Sequence, residues 1–364
     1  MNYIKQLDSI RTFAVFFVIL AHWSSKSIAG IFPFGNLGVN IFFVLSGFLI
    51  TRILLTEKEK IEEVGINETK FSAIGNFMMR RSLRIFPVYY LMLLVLYFGA
   101  TYLPNPIPFD WKYYVVYLQN FLYYFRQSTP EGKVGHFWSL AVEEQFYLIW
   151  PWILFFVHKK YIKNVMIIGI VIGTISSLLF PLIPGKEILT PALTICCLQS
   201  FCFGGLLAYW SVKKDGSLEK NYSAIKKWAL VAFVAYLGNK LFCPSFVFSD
   251  RLFESVITTW IIASILLNKT AKFDFILSNK ILISIGRVSY GIYIFHNFIP
   301  VSLKAVLHLL KKRVIENSES WQIITFLQKD VLLFNTICLA ILLGIAYFSF
   351  YFIETPFLKL KKYF

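Results

Sequence analysis

Long apolar stretches that carry almost no charge are the feature that most constrains how this chain can fold. Stretches such as 91–103, 165–183 and 336–353 are nearly uninterrupted, and about 20 apolar residues are enough for a helix to cross the hydrocarbon layer of a bilayer. Only 15% of the 364 residues are charged, against roughly 25% in soluble proteins. The sequence therefore predicts an all-α, polytopic transmembrane helical bundle.

We predict about ten transmembrane spans in a single integral-membrane domain that covers residues 1–364. An even number of spans places both termini on one side of the membrane, which we predict to be the cytoplasm. The predicted spans are 9–29, 38–56, 82–103, 138–158, 164–182, 191–210, 227–243, 252–268, 285–308 and 331–355.

The distribution of basic residues supports this orientation. About two thirds of the 36 Lys and Arg residues fall in the predicted cytoplasmic segments, as the positive-inside rule requires. Such residues bind anionic membrane lipid, so the formal charge of +16 does not indicate nucleic acid. Lys311, Lys312 and Arg313 disagree, because they fall in a predicted outer loop. Either that loop is functional or the last two spans are misplaced.

Two smaller observations exclude other features. The acidic Asp8 and the lack of a small-residue cleavage pattern argue against a cleaved signal peptide. The five cysteines lie in apolar segments without metal-binding spacing, so neither a metal site nor a disulfide framework is predicted.

Polar residues within the spans carry the functional signal, because burying them in lipid is expensive. Arg11 and His22 lie in the first span, eleven residues apart. On a helix they share one face and are separated by roughly 16 Å along the axis. The alternative is that Arg11 extends to a lipid phosphate and His22 pairs with a neighbouring helix.

A second group of polar residues begins the fourth span. Glu143 lies on the same helical face as Ser139 and Tyr147, and as His136 if the helix extends that far, whereas Glu144 points about 100° away. Glu143 is therefore the better candidate for a polar cavity. Glu144 either braces a neighbouring helix or favours the helix N-terminus, and both carboxylates could serve only as caps.

Three arginines, Arg80, Arg81 and Arg84, lie together at the predicted cytoplasmic end of the third span. Guanidinium groups bind phosphates through paired hydrogen bonds. The alternative is positive-inside anchoring, which lysine would serve equally well. The use of arginine alone favours phosphate binding.

A fourth group lies in the ninth predicted span. Ser289, Tyr293 and His296 follow helical spacing and could share one face. A histidine whose hydrogen bonds are satisfied within the structure is the more frequent explanation of His296 taken alone.

Five segments together resemble the acyltransferase 3 family over nearly the whole chain. They are LDSIR at 7–11 followed by His22, GVNIFFVLSGFLI at 38–50, RRSLRIFPVY at 80–89, WSLAVEEQFY at 138–147 and SYGIYIFH at 289–296. The resemblance implies a bacterial inner-membrane enzyme that transfers an acyl group, usually from cytoplasmic acetyl-CoA, to a hydroxyl of an extracytoplasmic glycan. O-antigen, that is lipopolysaccharide, or another envelope polysaccharide is the expected acceptor.

The resemblance matches the family histidine to His22 and its paired basic residue to Arg11. An acceptor hydroxyl needs a base as it attacks the thioester, and we predict that His22 is that base. Glu143 either orients the imidazole or binds the acceptor. The predicted CoA-binding residues are Arg11, Arg80, Arg81 and Arg84, and the predicted substrate-binding residues are His136, Trp138, Ser139, Glu144, Tyr147, Tyr293 and His296. The alternative function is a transporter or flippase, which would also carry polar residues within its spans.

Overall fold

A computed structural model describes most of the chain. The described residues are 3–24, 34–64, 68–99, 110–128, 134–185, 189, 192–213, 215–242, 250–316 and 318–364. Within them the regular structure is helical and includes no strand, which confirms the predicted all-α class. Cys243, residues 25–29 of the first predicted span and residues 100–103 of the third lie outside the described residues.

The described part of the chain contains α-helices of very different length. They are α1 Gln6–Trp23, α2 Phe34–Val64, α3 Glu68–Gly99, α4 Trp111–Val115, α5 Gln119–Arg126, α6 Trp138–Phe156, α7 Ile162–Leu179, α8 Thr194–Val212, α9 Ser217–Phe242, α10 Asp250–Leu266, α11 Asp274–Leu277, α12 Lys280–Arg287, α13 Ser289–Phe295, α14 Phe298–Arg313, α15 Glu319–Lys329, α16 Val331–Ser349 and α17 Thr355–Lys359. A π-helical turn, Phe350–Glu354, joins the last two.

Every predicted span overlaps a helix, but two predictions were wrong in detail. Helix α3 begins at Glu68, because the helix continues through polar sequence ahead of its apolar part. Arg80, Arg81 and Arg84 therefore lie well inside α3 and not at its end. The predicted span 285–308 is divided among α12, α13 and α14, with breaks at 288 and 296–297.

Five of the described helices are long and apolar enough to cross a membrane, and two bent helix pairs could each form a further span. The five are Gly35–Glu62, Lys70–Gly99, Lys159–Leu182, Thr194–Val212 and Val331–Tyr363. The bent pairs join α10 to 271–277 and α13 to α14. A many-pass membrane bundle is consistent with this count, while the number ten and the cytoplasmic location of both termini stay predictions.

Helix α2 lies at the centre of the bundle and packs against α1, α6, α8 and α10. Its approach to α8 is close because glycines face backbone on both sides. A Cβ on Gly47 would collide with the carbonyl of Phe201, and a Cβ on Gly204 would collide with that of Val44. Small residues allow such contact between membrane helices. This packing fixes one wall of the site described below.

The basic cluster that disagreed with the charge rule does not lie in a loop. Lys311, Lys312 and Arg313 form the last turn of α14, so the predicted outer loop was wrong at these positions. The Lys311 ammonium lies 4.2 Å from the centre of the Trp321 ring on α15. Amphipathic sequence allowed both helices to extend beyond the apolar run that defined the predicted span.

Candidate active site

A narrow cavity of about 100 Å³ lies between α1, α2, α3, α6 and α13. Its polar lining consists of Arg11, Ser46, Arg81, Arg84, Ser139, Glu143, Tyr147, Ser289, Tyr290 and Tyr293. A larger cavity of about 530 Å³ between α8, α9 and α10 has no charged residue in its lining. Convergent polar groups in a concave site are the usual mark of a functional site, so the smaller cavity is the candidate.

One part of the cavity is basic. Arg11, Arg81 and Arg84 line it together, because residues three apart on α3 share a face and α1 lies opposite. Arg11 forms an ion pair with the buried Asp8, one turn earlier on α1. Arg80 is exposed and does not line the cavity. The structure thus brings together three of the four arginines predicted to bind CoA.

The guanidinium group of Arg81 rests on aromatic side chains. It lies 5.5 Å from the centre of the Phe77 ring and 5.8 Å from the centre of the Tyr147 ring. Contacts of this kind hold a guanidinium in one orientation through cation–π attraction. Tyr147 therefore contributes to the basic part of the cavity as well as to its lining.

Glu143 lies in the cavity and is held by α2. Its Oε1 accepts a 2.7 Å hydrogen bond from Ser46 Oγ, and Ser46 Oγ also lies 3.2 Å from the Tyr147 hydroxyl. Ser46 was not singled out as a site residue, although it falls within the segment 38–50 that carries the family resemblance. Glu144 does not line the cavity. Its buried Oε1 has no hydrogen-bond partner among the described residues.

A hydroxyl pair forms another part of the cavity wall. Ser139 Oγ and the Tyr293 hydroxyl lie 2.5 Å apart, and the Tyr293 hydroxyl donates a 3.0 Å hydrogen bond to the carbonyl of His136. Trp138 is half-buried and lies outside the lining, with its ring 6.1 Å from that of Phe43. The Tyr293 hydroxyl therefore connects the cavity wall to the backbone of His136.

Three histidines from distant parts of the chain meet beside the Tyr293 ring. The rings of His22 and His296 lie 4.9 Å apart between centroids, those of His136 and His296 4.6 Å, and those of His22 and His136 6.5 Å. His136 and His296 are buried, whereas His22 is exposed. Each was a predicted site residue, but spacing within the sequence could not show that they meet.

Backbone contacts determine where His22 carries its proton. Its Nδ1 lies 2.8 Å from the carbonyl oxygen of Val18, and a carbonyl can only accept a hydrogen bond. Nδ1 therefore holds the proton in the neutral ring, and Nε2 carries the lone pair, with no hydrogen-bond partner among the described residues. The described contact that orients His22 is with Val18, while Glu143 contacts Ser46, so an orienting role for Glu143 stays a prediction.

The rings of His136 and His296 differ in how many of their nitrogens make hydrogen bonds. His136 uses both nitrogens: Nε2 donates to the Ile294 carbonyl at 3.3 Å, and Nδ1 accepts from the Asn297 amide at 3.0 Å. His296 Nδ1 donates to the Tyr293 carbonyl at 2.7 Å, which leaves its Nε2 with the lone pair. His136 is thus occupied by structural hydrogen bonds, whereas His22 and His296 each present a basic nitrogen.

Comparison with known proteins identifies the family of this chain. A family model described as an acyltransferase domain, acyltransferase 3, matches residues 4–353. The O-acetyltransferase OatA of Staphylococcus aureus strain NCTC 8325 is 29% identical over 318 residues, covering 81% of this chain and 50% of its own length. The peptidoglycan O-acetyltransferase OatA of Listeria monocytogenes is 28% identical over 386 residues, covering 98% of this chain and 56% of its own.

A putative O-acetyltransferase of Staphylococcus aureus strain COL is 30% identical over 323 residues, covering 81% of this chain. The chain spans about half the length of the curated relatives it matches. No solved structure matches it. Since the family model covers nearly the whole chain and the site residues lie inside the matched range, the chain belongs to the acyltransferase 3 family of membrane acyltransferases.

Proposed function

We propose that the protein is a membrane O-acetyltransferase that moves an acetyl group from cytoplasmic acetyl-CoA to a hydroxyl of an envelope glycan outside the membrane. One observation carries the proposal: a cavity lined by arginines shares a wall with a cluster of histidines, of which His22 has a free basic nitrogen. The first feature suits an anionic donor, and the second suits removal of a proton from an alcohol. The bacterial cytoplasmic membrane is the proposed location.

The basic part of the cavity supports CoA as the donor. CoA carries a diphosphate and a ribose phosphate, and guanidinium groups bind phosphate through paired hydrogen bonds. Arg81 and Arg84 would hold these groups, with Arg11 meeting a phosphate or the upper pantetheine. A cavity of about 100 Å³ admits a slender arm and not a nucleotide, so the nucleotide would stay at the cytoplasmic mouth.

The length of α1 supports transfer across the bundle. Arg11 and His22 both belong to this continuous helix, so they lie roughly 16 Å apart along its axis. That separation is comparable to the reach of the pantetheine arm. A thioester presented from the arginine end would therefore arrive close to the histidines.

In the proposed reaction His22 is the general base. Its Nε2 takes the proton of the glycan hydroxyl as the hydroxyl oxygen attacks the thioester carbon. The new C–O bond forms, the C–S bond breaks, and the proton passes from His22 to the departing CoA sulfur. The Val18 carbonyl holds the ring in the required tautomer throughout. Glu143, which accepts from Ser46, is placed to bind an N–H or O–H donor of a ligand in the cavity.

The names of the relatives bear on which envelope glycan is the acceptor. The name of the Listeria relative specifies peptidoglycan, so a peptidoglycan sugar is our first choice among envelope glycans. Lipopolysaccharide O-antigen, the acceptor expected from the sequence, is supported by no relative described above. Membrane lipid surrounds the bundle and is its remaining expected partner.

The test uses purified protein in lipid vesicles with acetyl-labelled acetyl-CoA and peptidoglycan fragments. We expect labelled ester on the glycan and one free CoA for each ester formed, measured by mass spectrometry. A transporter would move the glycan without consuming the thioester, and CoA would not raise its melting temperature. The absence of both ester formation and thermal stabilisation by CoA would refute the proposal.

A further inference from the structure

His296 carries a buried nitrogen that the structure leaves without a partner. The residue is 0% exposed, and its Nδ1 is engaged by the Tyr293 carbonyl. Its Nε2 has no hydrogen-bond partner among the described residues. A buried polar atom without a partner destabilises the folded state. Such an atom in a native fold requires an explanation.

The free nitrogen belongs to a ring that contacts the proposed base. The rings of His22 and His296 lie 4.9 Å apart between centroids and are inclined at 73°. A hydrogen bond beside the two rings stabilises this contact. Trp23 Nε1, next to His22 in α1, donates to the carbonyl of His296 at 3.1 Å. In their neutral forms both rings carry the lone pair at Nε2, so neither ring can donate to the other from that nitrogen.

We propose that His296 is a positioning residue that shares with His22 the proton taken from the glycan hydroxyl. The inference rests on the proposed O-acetyltransferase function. When His22 Nε2 takes the proton, the resulting N–H donates to His296 Nε2, which satisfies the buried nitrogen and stabilises protonated His22. The proton then leaves His22 for the CoA sulfur as the C–S bond breaks, and the pair returns to its neutral form.

The neighbours of the pair suit this role. The titratable side chains that face it in the described part of the chain are His136, just before α6, and Tyr293, on α13. His136 is neutral with both nitrogens engaged, and the Tyr293 hydroxyl is bound to Ser139 and to the His136 carbonyl. Neither is free to take the proton, which leaves His296 Nε2 as the available acceptor.

The experiment measures kcat against pH in vesicles at saturating acetyl-CoA and glycan. His296→Phe keeps a ring but removes both nitrogens, and we expect kcat to fall about 30-fold, the value of one hydrogen bond to a charged group. In this variant the fall of kcat on the acid side of the pH profile should occur at lower pH. Protonated His22 has then lost its hydrogen-bond acceptor and forms less readily. His296→Gln retains an acceptor oxygen and should recover part of the rate and of the pH shift.

His136→Gln is the matched comparison, since it perturbs the packing of the same cluster without removing the proposed acceptor. We expect its acid limb to coincide with that of the wild type, whatever its rate. CoA-dependent thermal stabilisation checks that each variant folds, and His296→Leu replaces His296→Phe if the latter does not. An active wild type with an unshifted acid limb in the folded His296 variant would overturn the inference alone. An inactive wild type would refute the proposed function instead.

Discussion

The arginine part of the cavity and the histidine cluster are neighbouring regions with different electrostatic character, since the first is charged and the second is neutral. Arg11, Arg81 and Arg84 keep permanent charges beside carboxylates and aromatic rings, in a cavity open to a ligand. His136 and His296 are buried among aromatic side chains and neutral hydrogen bonds. Fixed charge suits the binding of an anion, while neutral imidazole suits the movement of a proton. We therefore propose that the two regions divide donor binding from chemistry.

The hydroxyl pair of Ser139 and Tyr293 is where the two regions meet. Tyr293 lines the cavity, and its ring lies 5.4 Å from that of His136 and 5.6 Å from that of His296. If the division is real, substitutions on one side of this pair should change donor affinity, and substitutions on the other should change the rate of transfer.

The largest effect is expected at the proposed base. His22→Ala should lower kcat by about 1000-fold, within the usual range for loss of a general base, while CoA affinity stays near the wild-type value. The measurement is ester formation together with CoA titration in vesicles. His308→Ala is the control, since His308 is exposed on α14 and outside the site. Full activity of a folded His22→Ala protein would remove His22 from the mechanism.

The next largest effect should appear on the donor side and in binding alone. Arg81→Gln and Arg84→Gln should each weaken CoA binding by about 10- to 100-fold, the worth of a hydrogen bond to a charged group. At saturating donor their kcat should stay close to that of the wild type. Arg80→Gln is the matched control, because Arg80 lies on the same helix but outside the cavity. Equal losses in all three variants would indicate general membrane anchoring.

The adjacent carboxylates offer a finer comparison. Glu143→Gln replaces the carboxyl group that accepts the hydrogen bond from Ser46 and should lower kcat/KM for acetyl-CoA by about 10-fold. Glu144→Gln changes a group outside the lining and should have a smaller effect. The readout is initial rate against donor concentration for both variants. A larger loss from Glu144→Gln would reverse the assignment of the two residues.

The smallest effect is expected at the boundary. Tyr293→Phe removes the hydroxyl that binds Ser139 and the His136 carbonyl, and should lower kcat about three- to tenfold, as for one neutral hydrogen bond. CoA affinity, measured by titration calorimetry, should change little, because the arginines are untouched. A loss confined to CoA affinity would place Tyr293 on the donor side of the division.

The sequence was sufficient for the features that depend on local periodicity. Helical spacing separated Glu143 from Glu144 and placed Arg11 on the helix of His22, and the structure shows both arrangements. Apolar runs located every predicted span, although not the polar turns that continue α3 back to Glu68. A helix extends as far as its backbone hydrogen bonds do, so its ends need not follow the hydropathy.

Contacts between distant segments were beyond the reach of periodicity. Nothing in the spacing of His22, His136 and His296 shows that their rings meet, since their proximity depends on how α1, α6 and α13 pack. The contact of His22 with the Val18 carbonyl could not be predicted from residue types either, because the carbonyl is a backbone group. The exposure of Arg80 follows from the 100° step between consecutive helical residues, but the direction of that step relative to the cavity required the fold.

The most direct test of the central claim separates donor and acceptor by the membrane. Vesicles with the protein in one orientation receive labelled acetyl-CoA only on the side of the arginine mouth and peptidoglycan fragments only on the opposite side. The account predicts labelled glycan ester on the acceptor side, with free CoA remaining on the donor side. Ester formation only when both substrates are on one side would contradict transfer across the bundle from the arginine end to the histidines.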